Sequence, residues 1–402
     1  MSWPTYALDE LGVVSRGRSR HRPRDAQHLY GGPFPFVQTG DVKAAPLYLT
    51  SYSQTYSEAG LAQSKLWPAG TLCITIAANI AETCILGIDA CFPDSIIGFV
   101  ADPGKADTTF IKYQFDAVMR EKMKRVSQGV AQDNLSQEKL LSFRFPVPDL
   151  LTQQRIAGIL SAYDDLIENN RRRIGLLEQA ARLLSREWFV HLRFPGHETA
   201  KIVDGLPEGW ERMPASEAMH INPRTTWKAS ESKLITMVPM GALSTSGMNC
   251  DPSLFERREQ PAGVKFMNGD TLFARITPCL ENGKTSYVNF LQEGEVACGS
   301  TEFVVFRERR ISRFMAYLLA REEGFRKNAI SSMVGSSGRQ RVQPSCFDKY
   351  LVPVPPKPVV EDFDRVVEPM FREIEHIDKS IGKLTRARDL LLPRLMDGRI
   401  PV

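Results

Sequence analysis

The chain has 402 residues, of which 43% are hydrophobic and 24% charged, with a formal net charge of +4. That supplies apolar material for two or three ordinary cores and excludes a disordered tail. The longest apolar runs, such as Leu72 to Ala81, fall short of the roughly 20 residues that span a bilayer, and the modest positive charge permits nucleic acid as a partner without demanding it. In chain order, residues 1–150 read as a first mixed α/β globule: short apolar strand signals at Leu72 to Ile76 and Ser95 to Val100, bounded by Gly, Pro and Asp, precede a helical stretch from Phe110 to Arg125. Residues 151–200 then read as a long rod. Ile156, Leu160, Tyr163, Ile167, Asn170, Ile174, Leu177, Ala181, Leu184 and Trp188 step by four and three, which is a coiled-coil seam. Residues 206–357 return to strand signals, at Thr271 to Ile276 and Glu302 to Phe306, with a helical stretch from Ile311 to Phe325. Residues 358–402 carry a second seam: Phe363, Val367, Met370, Ile374, Ile377, Ile381, Leu384, Arg388, Leu391 and Leu395. Pro369 lies inside that seam and should kink or delay the helix.

The two halves therefore repeat one plan. Trp67, Gly70-Thr71-Leu72, Phe99-Val100 and Phe145-Pro146-Val147-Pro148 recur as Phe266, Gly269-Asp270-Thr271-Leu272, Val304-Val305 and Val352-Pro353-Val354-Pro355, each series running into a heptad helix. The expected class is α+β, with two similar mixed α/β globules separated by two long helices that pair as an antiparallel coiled coil with pseudo-two-fold symmetry. About 36 residues of helix give a rod of about 54 Å. Asn170 and Arg388 occupy seam positions, where a buried polar group fixes register, or where it snorkels to a solvated edge. A duplicated surface suits a partner with repeated geometry, and duplex DNA is such a partner.

Asp9 and Glu10 stand where a secretory leader would carry basic charge, so a cytoplasmic location without membrane attachment is expected. Cys73, Cys84, Cys91, Cys250, Cys279, Cys298 and Cys346 lack paired spacing and read as free thiols, not as zinc ligands or disulfides. The six histidines (His21, His28, His191, His197, His220 and His376) are scattered and signal no metal site. Gly283-Lys284-Thr285 ends like a phosphate-binding loop, but Pro278 replaces the earlier glycine. Asn222-Pro223 is followed by Arg224 instead of the second proline of an amino-methyltransferase motif, and Pro93-Asp94 lacks the rest of a nuclease motif. The chain reads as non-catalytic on its own.

Better supported are polar and basic segments. Arg16, Arg18, Arg20, Arg22 and Arg24 alternate, so in an extended segment their guanidiniums share one side, facing a row of phosphates; a solvated loop is the plainer alternative. Ser336, Ser337, Arg339, Gln340 and Arg341 lie on a Gly-rich loop, and Gln128, Gln132 and Asn134 on its counterpart in the first globule. Gln and Asn suit adenine edges and Arg suits guanine, though a turn that orders the next strand needs no DNA.

These residues resemble the specificity subunits of type I restriction-modification enzymes. The resemblance rests on Phe36-Val37-Gln38-Thr39-Gly40-Asp41-Val42, similar to an early strand motif of that family, and on the run Gly269 to Lys284, similar to its target recognition domains. It rests also on Pro146-Val147-Pro148 leading to Gln153-Gln154-Arg155-Ile156 at the entry to a spacer helix. The second rod begins Pro358-Val359-Val360-Glu361-Asp362-Phe363 and departs from that entry motif. The resemblance implies two target recognition domains that read unlike halves of a split DNA sequence, with Gln38, Thr39, Arg275, Thr277 and Lys284 joining the basic loops as DNA contacts. It implies no cofactor in this chain, S-adenosylmethionine on two methyltransferase subunits docked on outer helix faces that include Arg171, Arg172, Arg173 and Arg182, and a restriction or translocase subunit as a further candidate. The competing readings are a solitary DNA modification enzyme with degenerate motifs and a coiled-coil scaffold for protein partners.

Overall fold

The computed structural model describes residues 3–77, 80–126, 136–228, 234–336 and 338–402. It divides into two compact units, residues 1–169 with 381–402, and residues 170–380. The division falls inside both long helices, Leu150–Phe189 and Lys357–Met396, so each helix contributes one part to each unit.

In the first unit the strands are β1 (Gly12–Arg16), β2 (Tyr30–Phe36), β3 (Gln54–Tyr56), β4 (Leu66–Trp67), β5 (Leu72–Thr75), β6 (Thr83–Leu86), β7 (Ala90–Cys91) and β8 (Ile96–Ala101). One sheet has the order β1-β8-β5-β6 with a short edge strand at Tyr48–Leu49; the other has the order β3-β2-β7-β4. Every residue of β5 is buried, as expected of a strand covered on both faces. Trp67 is fully buried against Phe92, with ring centroids 4.8 Å apart. Gly98 allows that indole to approach, because a Cβ there would lie 2.6 Å from the ring.

The second unit repeats the order of these eight strands, without the edge strand seen at Tyr48–Leu49. Its strands are β9 (Met219–Ile221), β10 (Ile235–Val238), β11 (Glu256–Arg258), β12 (Val264–Met267), β13 (Thr271–Ala274), β14 (Thr285–Tyr287), β15 (Val296–Gly299) and β16 (Phe303–Glu308). They form sheets of order β9-β16-β13-β14 and β11-β10-β15-β12. The repeated motifs fall on matched places. Leu72 pairs with Phe99 and Leu272 with Val305. Gly70 and Gly269 hold positive φ at 86° and 88°, and each donates its N–H over 2.8 Å to the chain opposite, at Leu86 and Val288. Both globules contain a parallel pairing at the same place, β2 with β7 and β10 with β15, and the first has another between Tyr48–Leu49 and β6; short-range sequence patterns do not announce them.

The expected helix at Phe110 to Arg125 is Thr108–Val126. The stretch from Ile311 to Phe325 is two helices, Arg313–Arg321 and Glu323–Ser331, because Glu322 turns extended (ψ 135°) and its side chain accepts the N–H of Glu323. In each unit a globule core is completed by helix seams. Ile156 and Leu160 share a core with Leu72, Phe110, Leu392 and Leu395. Ala181 and Trp188 share one with Phe273, Phe363 and Phe371. The pairing is antiparallel within each unit: Asp164 meets Arg388 in the first, while Arg173 meets Glu373 and Trp188 meets Phe363 in the second. Tyr163, Ile174, Leu177, Leu184, Met370, Ile381, Leu384 and Leu391 are half-buried in these seams, and Ile167, Ile374 and Ile377 are buried.

Pro369 neither delays nor ends the C-terminal helix, which runs continuously from Lys357. Its ring is on the exposed side, while Val367 and Phe371 are buried and hold the turn in place. Asn170 is 9% exposed, and Arg388 is held by Asp164 and Asp389, so neither polar seam residue simply reaches solvent.

Ser312 caps Arg313–Arg321 and also donates its hydroxyl to Asp364 of the C-terminal helix at 2.6 Å. Burial pushes the Asp364 carboxyl up to about 6, against the pull of that hydrogen bond and of Arg313, with Glu308 and Glu368 adding to the rise. An acid whose folded value is raised binds its proton more tightly folded than unfolded. Its contribution to stability therefore grows as pH falls from about 6 towards the unfolded value near 4, and is absent above that window. Urea titrations across this range are expected to show the wild type gaining stability relative to Asp364→Asn as pH drops. Phe371→Ala, which empties a site ringed by Phe314, Tyr287 and Tyr317, is expected to cost about 3–5 kcal/mol in the same assay. Leu183→Ala, at a side chain 52% exposed, should cost under about 0.5 kcal/mol.

Candidate nucleic-acid interface

In the first unit, residues 16–20 continue the alternation of β1, with Arg16, Arg18 and Arg20 exposed and Gly17 and Ser19 buried. The chain then bends through residues 22–25, so the five arginines do not form one row. Arg22 turns back onto the carbonyls of Ser19 and His21, both at 2.8 Å, and Arg24 forks onto Asp94 at 3.0 Å. Arg16 Nε donates to the Asp94 carbonyl at 2.9 Å. Among the described residues no carboxylate pairs with Arg18 or Arg20.

Lys65 stands beside Arg18 and was not anticipated from the sequence, because only a tertiary contact, in which the Ser64 hydroxyl donates to the Arg18 carbonyl at 2.7 Å, brings the two segments together. Its Nζ lies 3.6 Å from the centre of the Trp67 ring, and burial, then the charge of Arg18, lower its pKa. Two cations held this close favour an anion between them. Gln38 and Thr39 sit at a helix start, Thr39–Ala44, just past the end of β2. The Gln38 N–H donates to Asp41 and its side-chain amide donates to Gln54 at 3.0 Å. Gln128, Gln132 and Asn134 lie outside the described residues.

In the second unit a hairpin closed by paired Val334 and Arg341 carries Ser336, Arg339 and Gln340 at or near its tip; Ser337 lies outside the described residues. Strand β13 leads into Arg275 and Thr277 beside it. Thr277 and Gln340 exchange two bonds, and Arg275 donates to the Val342 carbonyl at 3.3 Å. Arg341 forks onto Glu302 at 2.7 to 3.0 Å, and these hydrogen bonds hold the Glu302 carboxyl below its usual range. Arg341 is therefore braced, whereas Arg339 and Ser336 are exposed. Lys284 stands apart from this cluster, with its ammonium on the Met240 carbonyl at 2.8 Å. Of the arginines expected on the outer helix faces, Arg171 and Arg172 are exposed and Arg173 bridges to Glu373 at 3.0 Å. Arg182 instead packs inward onto Glu178 and the Ser246 carbonyl.

Each unit also contains a buried polar triad that periodicity could not reveal. In the first, the Tyr113 hydroxyl donates to Asp164 at 2.5 Å, and Arg388 of the C-terminal helix pairs with the same carboxylate. In the second, the Tyr317 hydroxyl donates to Glu178, which also accepts from Arg182 and, at 3.0 Å, from the Met248 N–H. Burial raises both tyrosine pKa values well above the ordinary one, so each hydroxyl stays a donor. Arg321 adds bonds to Tyr317 and to the carbonyls of Thr245, Gly247, Gly283 and Thr285, drawing two loops around the second triad. A sequence signal for the triads existed: Thr108-Thr109-Phe110-Ile111-Lys112-Tyr113 aligns with Ser312-Arg313-Phe314-Met315-Ala316-Tyr317.

The chain is similar to known proteins in sequence and fold. Residues 2–179 match the family model of the type I restriction modification DNA specificity domain. The specificity subunit of the type I restriction enzyme MjaIX of Methanocaldococcus jannaschii is 23% identical over 417 aligned positions, covering 100% of this chain and 94% of that protein. The EcoEI specificity subunit of Escherichia coli is 36% identical over 156 residues, which span 38% of this chain and 26% of that protein. Among solved structures, the S subunit of a type I restriction-modification system from M. genitalium has the same fold. Its TM-score is 0.57 at 13% identity, over 98% of this chain and 96% of that one.

Proposed function

Starting from a chain that resembles type I restriction specificity subunits along its length, we propose that it is the non-catalytic DNA-reading subunit of a type I restriction-modification complex, in the cytoplasm. It reads a bipartite, asymmetric target. The observation that carries this reading is the duplication itself: one sheet topology occurs twice, and the loops borne on the two copies differ. The first globule offers Arg16, Arg18, Arg20 and Lys65; the second offers Arg275, Thr277, Ser336, Arg339 and Gln340. Unlike loops select unlike half-sites, and phosphate contacts set the register in which base edges are read. The long helices space the two readers, and half-sites one helical turn apart lie roughly 34–36 Å from one another. Methyltransferase subunits, two on the duplicated geometry, dock on the helices and bring S-adenosylmethionine. They act on an adenine that the assembled complex flips from the duplex.

The direct test co-expresses the chain with the methyltransferase encoded beside it and maps adenine methylation across a genome. A bipartite motif with one fixed gap is expected; a continuous motif, or none, would overturn the reading. Arg18 and Lys65 give a second expected outcome. Arg18→Ala and Lys65→Ala should each weaken DNA binding by the assembled complex across all sequences and flatten the slope of log K against log salt by roughly one. Arg24→Ala, whose guanidinium is held by Asp94, should leave that slope unchanged.

A further inference from the structure

We infer that the two buried triads, Tyr113 with Asp164 and Arg388, and Tyr317 with Glu178 and Arg182, are positioning residues that fix the heptad at which each globule grips the central helix, and so fix the gap between half-sites. This rests on the reading of the chain as a bipartite specificity subunit.

The tyrosines occupy equivalent places in the repeat, each on the helix that covers its sheet. The carboxylates are not equivalent under the repeat. Both are supplied by the central helix, at positions fourteen residues apart, which is two heptads. Both are nearly excluded from water, Asp164 at 9% exposure and Glu178 at 3%.

The physical need for such a device comes from the seam. Ile156, Leu160 and Ile167 in one unit, and Ile174, Leu177 and Leu184 in the other, are close in size. A globule displaced by one heptad would still meet an aliphatic residue of similar size at part of the seam, Ile167 in place of Leu160 and Leu184 in place of Leu177, although Tyr163 would replace Ile156 and Ala181 would replace Ile174. The triads do not tolerate that shift. One heptad either way puts Ala157 or Arg171 in the place of Asp164, and Arg171 or Ser185 in the place of Glu178. The tyrosine would then lose its acceptor, and a carboxylate would be left desolvated without its partners. Directional polar contacts thus sharpen a register that apolar packing alone specifies only in part. The arginines complete the arrangement by different routes. Arg388 reaches Asp164 from the C-terminal helix, and Arg182 reaches Glu178 from one turn along the same helix.

The test uses the full chain assembled with its methyltransferase subunits. The substrate is a plasmid library in which the native half-sites are separated by gaps shorter and longer than the native gap in single base-pair steps. The wild type should methylate one gap. Tyr113→Phe and Tyr317→Phe, which remove only the hydroxyl, are each expected to raise methylation by roughly tenfold, relative to the native gap, at gaps about three base pairs shorter or longer, the length of a one-heptad slip of about 10.5 Å, with base preferences in both half-sites unchanged. A uniform loss of activity at the native gap alone would mean the triads merely stabilise, and would overturn the inference. Hydrogen exchange provides a second readout independent of catalysis. Amides of Arg313–Arg321 should exchange faster in Tyr317→Phe while those of β13 and β16 do not; unchanged exchange in the helix would also overturn it. A wild-type complex that shows no bipartite motif would instead overturn the functional reading beneath.

Discussion

Each globule leaves its largest core open to the long helices. The sheets of the first unit leave Leu72, Phe99 and Phe110 to be covered by Ile156 and Leu160 from one long helix and by Leu392, Leu395 and Met396 from the other. Those of the second leave Phe273, Tyr287 and Tyr317 to be covered by Ala181, Trp188, Phe363 and Phe371. Burial of large side chains at roughly 1.5–3 kcal/mol each means that a globule cannot lift from its helices without losing a large share of its stability. Each globule is therefore coupled to the long helices through a shared core, not through a linker.

Much of that plan is visible in the sequence because it depends on periodic burial. The four-and-three stepping from Ile156 to Trp188 and from Phe363 to Leu395 is the trace of a helix with one face covered, and those positions are buried or half-buried. The repeated Gly-Thr-Leu and Pro-Val-Pro segments mark matched strands and turns for a similar reason: a positive φ at Gly70 and Gly269 restricts the residue locally. The parallel pairings of β2 with β7 and β10 with β15 left no such trace, because they join segments far apart in the chain. Buried polar groups were also missed. Gln153, Asp164 and Glu178 carry no apolar signal that periodicity can pick out, and only tertiary partners make their burial tolerable. The expectation of a kink at Pro369 weighed the local cost of proline against nothing, whereas Val367 and Phe371 pin the helix on either side.

The candidate interface shows the same division. Alternation placed Arg16, Arg18 and Arg20 on one side of an extended segment, as period-two geometry requires. It could not say that Asp94 would take Arg24, that Glu302 would take Arg341, or that the Met240 carbonyl would take Lys284. Those are long-range contacts that turn exposed-looking cations into structural ones. What remains is a smaller set, Arg16, Arg18, Arg20 and Lys65 in one unit and Arg339 with its neighbours in the other, and it is these that the proposed reading assigns to DNA.

The most direct measurement of the central claim is a hydroxyl-radical footprint of the complete complex on DNA carrying its methylated motif. Two unlike reading surfaces mounted on one helix pair predict two protected patches of different extent, separated by unprotected backbone and centred about one helical turn apart. A single continuous footprint, or protection of only one half of the motif, would contradict the account.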